Sequence, residues 1–157
     1  AVAGKRCAIL GAGGAARGVA YGLQIAGAGE LDVIARRPEQ VSWIAARPWT
    51  PGELRAVFAR AELVVDATPI GLSSDDAAQA ALDDLPLDAL AGNAWVTSLV
   101  YHREGSLLQR ATARGHATLD GRGMLVYQGA RAFTLWTGGP APIAAMQRAL
   151  DEAIAGT

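Results

Sequence analysis

Cys7-Ala8-Ile9-Leu10-Gly11-Ala12-Gly13-Gly14-Ala15-Ala16-Arg17-Gly18-Val19-Ala20 is the stretch on which the fold turns. A run from Arg6 to Leu10, apolar after its first residue, stops at a glycine, and a helical pattern starts a few residues later. An unbroken apolar run of this kind fits a strand covered on both faces. Gly11, Gly13 and Ala16 fill the G-x-G-x-x-(G/A) spacing. Each position has a mechanical reason. Gly11 turns the backbone tightly out of the strand. Gly13, without a Cβ, lets a pyrophosphate approach the main chain. Ala16 is small enough for the helix to lie close to the strand. The helix is expected to begin near Gly14, with its unpaired N–H groups and positive dipole end facing a ligand. Gly11, Ala12, Gly13, Gly14, Ala15 and Ala16 are therefore the expected phosphate-side wall of a dinucleotide site. In a chain with 19 glycines the same spacing also fits an ordinary strand-to-helix turn, so the reading needs support from elsewhere.

That support lies one strand further on. Val19, Leu23 and Ala26 continue one helical stripe, and Gly27 and Gly29 suit its end. Glu30 to Ala35 reads as the second strand and runs into Arg36-Arg37-Pro38. In a dinucleotide fold the residue at this strand end meets the adenosine ribose, and a carboxylate there selects NAD. Here the place holds Ala35 and then two arginines. A guanidinium fork pairs with a 2′-phosphate and stays charged at any relevant pH. The expected cofactor is NADP, held by Arg36 and Arg37. Asp32, the nearby carboxylate, lies too early in the strand to reach a ribose. A solvated turn is the bland alternative for the two arginines.

The rest of the chain reads in the same alternating way. Glu39 to Ala46 is expected to form a short helix, and Trp49 a brief strand or core-facing loop. Thr50-Pro51-Gly52-Glu53 has the capping-box pattern, followed by a helix to about Arg60. Leu63 to Asp66 is the next strand. It opens into a loop carrying Thr68 and Pro69, where C-terminal strand ends line a ligand crevice. Ser73 to Leu90 reads as a surface loop with a helical portion. Its acidic residues, Asp75, Asp76, Asp83, Asp84 and Asp88, have no histidine nearby and are expected to be solvated rather than to hold a metal. Asn93 to Val100 is a strand that runs into Tyr101-His102. Ser106 is expected to cap a helix from Leu107 to Arg114. His116 to Leu119 is a late strand, and Asp120 to Gly123 a turn. Helices are expected over Met124 to Trp136 and from Pro142 to near Ala155, separated by Gly138-Gly139-Pro140. His102 and His116 lack ligand-like spacing.

Composition sets the limits. The chain has 157 residues, 51% of them hydrophobic, and a net charge of −1. That suits one domain and argues against nucleic acid or an anionic membrane as the main partner. The sole cysteine, Cys7, excludes an intrachain disulfide, so a cytoplasmic setting is the default expectation. No apolar stretch is long enough for a membrane span, and no signal peptide is recognisable. Few residues precede the first strand, as expected of a domain cut from a longer protein.

With these stretches in hand, the chain resembles the NADP-binding half of the shikimate dehydrogenase family. Gly11 to Arg17 resembles the family's glycine loop, and Ala35-Arg36-Arg37 its basic, NADP-selecting turn. Asp66-Ala67-Thr68-Pro69-Ile70-Gly71-Leu72 is similar to its N-A-T-P-x-G-(M/L) segment, and Ser98-Leu99-Val100-Tyr101 to D-M-x-Y. Gly121 to Gln128 resembles G-x-G-M-L-x-x-Q, and Ala132-Phe133-Thr134-Leu135-Trp136 follows it as in the family. The last motif is the most specific. Asp66 stands in place of an asparagine, Ser98 of an aspartate and Ala35 of a usual asparagine. The segment after Tyr101 is a residue short and lacks the family's prolines.

The resemblance implies an α/β, Rossmann-type doubly wound, mainly parallel sheet with helices on both faces, plus C-terminal helices. It also implies NADP-linked oxidation of shikimate to 3-dehydroshikimate in aromatic amino-acid biosynthesis. By that resemblance Gln128 and Tyr101 face the substrate, and Thr68, Pro69, Leu99 and Gly121 lie by the cofactor. The family's catalytic lysine and aspartate belong to an N-terminal substrate domain that these residues do not include, and Lys5 does not match. No catalytic residue is therefore expected in this chain, which should bind NADP(H) without turning over shikimate. The alternatives are a quinate/shikimate dehydrogenase-like enzyme and a non-catalytic NADP-binding regulatory module.

Overall fold

The computed structural model describes residues 1–70, 76–101 and 105–156. Asp75, His102 and the last two residues of the Asp66–Leu72 segment lie outside them. Among the described residues, six strands form one sheet in the order β3-β2-β1-β4-β5-β6, every pairing parallel. β1 is Arg6–Leu10, β2 Glu30–Ala35, β3 Ala46–Pro48, β4 Leu63–Asp66, β5 Trp95–Ser98 and β6 Ala117–Leu119. The helices are α1 (Gly14–Ile25), α2 (Pro51–Phe58), α3 (Asp76–Asp83), α4 (Ser106–Thr112), α5 (Arg122–Thr137) and α6 (Ile143–Ala155). This is the expected doubly wound Rossmann arrangement. No helix among the described residues is long and apolar enough to cross a membrane.

β1 is central because its residues are apolar toward both faces, which only a doubly covered strand tolerates. Ala8 and Leu10 enter one core with Val64, Val96 and the inward residues of α2 and α4. Ile9 enters the other with Val33, Ala67 and the α1 residues Ala16 and Ala20. Val19 and Leu23 pack onto this second core, whereas Ala26, expected on the same stripe, is the exposed C-cap of α1. Phe58 is fully buried in the first core, a burial that contributes about 2–3 kcal/mol. Cys7 is buried in β1, and burial pushes its thiol pKa up.

α2 starts as its sequence dictates. Pro51 occupies the first turn and the Thr50 hydroxyl accepts the Glu53 N–H at 3.4 Å. The stretch before it departs from expectation. Only Pro38–Gln40 is helical, as a single 3-10 turn. Trp43 and Ile44 are drawn onto the second core, and Ala46–Pro48 pairs with β2 as an edge strand. Core contact and strand pairing outweigh local helical periodicity here. Pro48 is acceptable because it ends an edge strand.

Two smaller corrections concern caps. Gly105, not Ser106, is the N-cap of α4; the Ser106 hydroxyl instead donates to Asp83 at 2.6 Å. Asp120 to Gly123 is not a free turn. The Asp120 carboxylate accepts the Arg122 N–H at 3.1 Å and pairs with its guanidinium at 2.6 Å, so α5 begins at Arg122. Of the acidic residues expected to be solvated, Asp83 and Asp88 make surface pairs, the latter with Arg55 at 2.8 Å.

Candidate functional site

β1 pairs with β2 on one side and β4 on the other. The strand order therefore reverses beside β1, with β2 and β3 on one side and β4 to β6 on the other, and the crevice at such a switch point is where doubly wound sheets bind ligands. A cleft of about 610 Å³ opens there, a size that suits a cofactor. Its wall includes Gly11, Ala12 and Gly13 from the β1 turn, Arg36 and Arg37 from the end of β2, and Thr68 and Pro69 from the end of β4. Residues chosen from three separated motifs thus meet in one space.

The glycines serve different ends. Gly11 has φ +94°, and a Cβ on it would lie 3.1 Å from the Ala67 carbonyl oxygen; the fold itself requires glycine. At Gly13 and Gly14 a Cβ would have nothing within 4 Å. Open space above these two residues, at the N-terminus of the 12-residue α1, is what an approaching anion needs. Gly13 is the N-cap and no side chain caps this end, so its donors remain for a ligand. Ala15 is exposed on the first turn, and Ala16 is fully buried against the sheet. The loop is held from outside by Trp43, whose indole N–H donates to the Ala12 carbonyl at 3.3 Å.

Charge around β2 is sorted. Asp32 accepts Arg47 at 2.6 Å and Arg60 at 2.6 Å. Its carboxylate is taken up by these two arginines and Asp32 does not line the cleft, in keeping with its early place in the strand. Arg36 and Arg37 are exposed and, among the described residues, pair with no carboxylate. They bring uncompensated positive charge to the cleft wall. The residues present therefore fit a dinucleotide bearing an extra phosphate.

Beyond β4 the site is closed by hydrogen bonds. Asp66 is 1% exposed and accepts the Thr68 N–H at 3.0 Å, the Thr68 hydroxyl at 2.6 Å and the Ser98 hydroxyl at 3.0 Å. Burial raises its pKa, against the lowering effect of the Thr68 and Ser98 bonds. Leu99 follows β5 and packs partly on the second core. A Cβ on Gly121 would overlap the Leu99 carbonyl oxygen, so these two residues are in direct contact, though neither lines the cleft. Tyr101 is half-buried just after β5. Gln128 is exposed on α5; Val126 and Ala130 turn inward, two residues to either side of it. Gln40, Val41, Trp49 and Ile70 also line the cleft. Of these, Trp49 is signalled in the sequence as a brief strand or core-facing loop and Ile70 belongs to the Asp66–Leu72 segment, while Gln40 and Val41 carry no ligand signal.

Residues 121–150 match the family model described as the shikimate 5′-dehydrogenase C-terminal domain. A shikimate dehydrogenase (NADP(+)) of Moorella thermoacetica is 40% identical over 165 aligned positions, covering 97% of this chain and 55% of that protein. Among solved structures, a Listeria monocytogenes shikimate 5-dehydrogenase in complex with shikimate and NAD superimposes with a TM-score of 0.77 at 26% identity, covering 96% of this chain and 57% of the other. The Thermus thermophilus shikimate 5-dehydrogenase in complex with NADP(H) and shikimate gives 0.72 at 32% identity, covering 94% and 54%. The chain thus spans about half the length of the relatives it matches.

Proposed function

From the premise that the chain belongs to the shikimate dehydrogenase family, we propose that it is the NADP(H)-binding half of an enzyme that interconverts shikimate and 3-dehydroshikimate. The observation that carries the cofactor reading is the pair Arg36 and Arg37, exposed in the cleft wall at the end of β2 with no carboxylate among the described residues to neutralise them.

Bound NADP would supply the hydride acceptor. This chain's residues bind and orient. The N–H groups at the start of α1 receive the pyrophosphate, and Gly13 lets it come close. Arg36 and Arg37 hold the 2′-phosphate by charge-assisted hydrogen bonds. Thr68, Pro69, Leu99 and Gly121 shape the nicotinamide end. Gln128, which both donates and accepts, meets a substrate hydroxyl beside Tyr101. Position is most of what a protein adds to hydride transfer.

Proton transfer from the alcohol needs an acid–base group, and none of the described residues lining the cleft is a lysine, histidine or carboxylate. Lys5, the sole lysine, pairs with Glu62 at 2.9 Å ahead of β1 and β4. That is the sheet edge opposite the cleft, about 17 Å away at strand rise. The chain alone is therefore expected to bind NADP(H) without turnover.

Titration of the 157-residue chain with NADPH and NADH tests the reading. NADPH should bind more tightly, and Arg36→Ala or Arg37→Ala should abolish most of the difference. Equal affinity for both nucleotides in the unmodified chain overturns the selectivity, and shikimate-dependent NADP reduction by this chain overturns the division of labour.

A further inference from the structure

We propose that Asp66 is a positioning residue that ties the loops leaving β4 and β5 into one floor for the nucleotide cleft, an inference that rests on the cofactor reading above. The register of the sheet sets Asp66 beside Ser98. From there one carboxylate reaches both loops. Oδ1 accepts the N–H and the hydroxyl of Thr68, at 3.0 and 2.6 Å. Oδ2 accepts the hydroxyl of Ser98 at 3.0 Å. Each hydroxyl in turn accepts an amide from its own loop: Ile70 N–H on Thr68 Oγ1 at 3.3 Å, and Val100 N–H on Ser98 Oγ at 3.3 Å.

The direction of these bonds is forced. The amides of Ile70 and Val100 are donors only, so each occupies a hydroxyl lone pair and turns the hydroxyl hydrogen toward Asp66. Two inward-pointing hydroxyls and an amide require an acceptor with two free oxygens, which a carboxylate is. With Asp66 1% exposed, its removal takes the acceptor from three buried or half-buried donors at once. Both arms end at the proposed site. Thr68 and Ile70 line the cleft. The Val100 carbonyl accepts the Gly121 N–H at 3.1 Å, next to the Leu99–Gly121 contact. A shift in the β4 arm therefore moves a wall of the cleft, and a shift in the β5 arm moves the Leu99–Gly121 contact assigned above to the nicotinamide end, neither touching Arg36 or Arg37.

Two readouts test this on the 157-residue chain: amide hydrogen exchange at Thr68 and Val100, and titration with NADPH and NADH. In Asp66→Ala both amides should exchange at least tenfold faster, and both nucleotides should weaken by one common factor of tenfold or more. Asp66→Asn keeps the Oδ1 arm alone, so Thr68 should exchange as in the parent while Val100 speeds up, and affinity for both nucleotides should fall between the parent and Asp66→Ala. If Asp66→Ala does not fold, Ser98→Ala opens the β5 arm alone, and should speed Val100 at least tenfold while leaving Thr68 unchanged. Unchanged exchange and affinity in a folded Asp66→Ala, or a loss confined to NADPH, overturns the proposal. An unmodified chain that binds neither nucleotide overturns the cofactor reading instead; the two failures are told apart because exchange at Thr68 and Val100 still depends on Asp66.

Discussion

At the end of β2 two guanidinium groups stand in the cleft wall with no carboxylate opposite them; at the end of β4 a buried carboxylate is surrounded by donors from its own loops. The two places lie on the same edge of one sheet and treat charge in opposite ways. The β2 end leaves its charge for a ligand to satisfy. The β4 end satisfies its charge internally and so fixes a shape. Asp32 sharpens the contrast: its carboxylate lies in β2 itself, yet it is spent on Arg47 and Arg60. A group's place in the hydrogen-bond ledger, more than its type, separates binding residues from shaping residues here.

The strongest way to break the contrast is at the glycines. Gly121→Ala drives a Cβ into the Leu99 backbone and should lower stability by about 3 kcal/mol, the upper range for overpacking. Gly13→Ala meets nothing within 4 Å, so denaturant unfolding should move by less than about 0.5 kcal/mol while NADPH affinity falls. Equal stability of the two variants would erase the distinction between shaping and binding glycines.

Next in size, Arg36→Ala or Arg37→Ala should each weaken NADPH by about 1.5–3 kcal/mol in calorimetric titration, leaving NADH and the unfolding midpoint nearly unchanged. Asp32→Asn should do the reverse. Its carboxylate is 12% exposed but its arginine partners are 43% and 37% exposed, so the loss should be about 1 kcal/mol of stability, with the NADPH-to-NADH ratio kept.

The smallest effect concerns Asp66. Burial raises its folded pKa, so its contribution to stability is full below the unfolded value, about 4, and is lost as pH rises through the folded value. Asp66→Asn removes that loss. The stability of the variant should therefore fall less than the parent's as pH rises from about 4 to about 7. A parent that gains stability over that range would reverse the sign and make Asp66 a stabilising charge.

Much of this was legible in the chain itself. The run Arg6 to Leu10, the turn at Gly11 and the arginines after Ala35 stand where their chemistry places them, because strand length, positive φ and charge are local properties. The capping box at Thr50 is local too. What escaped was decided at long range. Trp43 and Ile44 belong to a core that only the folded sheet creates, and β3 exists only by pairing with β2. The Ser106 hydroxyl prefers Asp83, 23 residues away, to its own helix. The partnership of Asp66 with Ser98 spans 32 residues and follows from a strand register that no sequence pattern states.

The place of β1 in the middle of the sheet has a consequence for biogenesis. The strand that ends up between two others precedes both of them in the chain: β2 starts at Glu30 and β4 at Leu63. With every strand pairing among the described residues parallel, Ala8 to Leu10 must keep one backbone edge bare until β4 follows, 53 residues after Leu10. Distant pairing of this kind is slow and exposed to aggregation, so chaperone demand during synthesis should centre on the nascent β1.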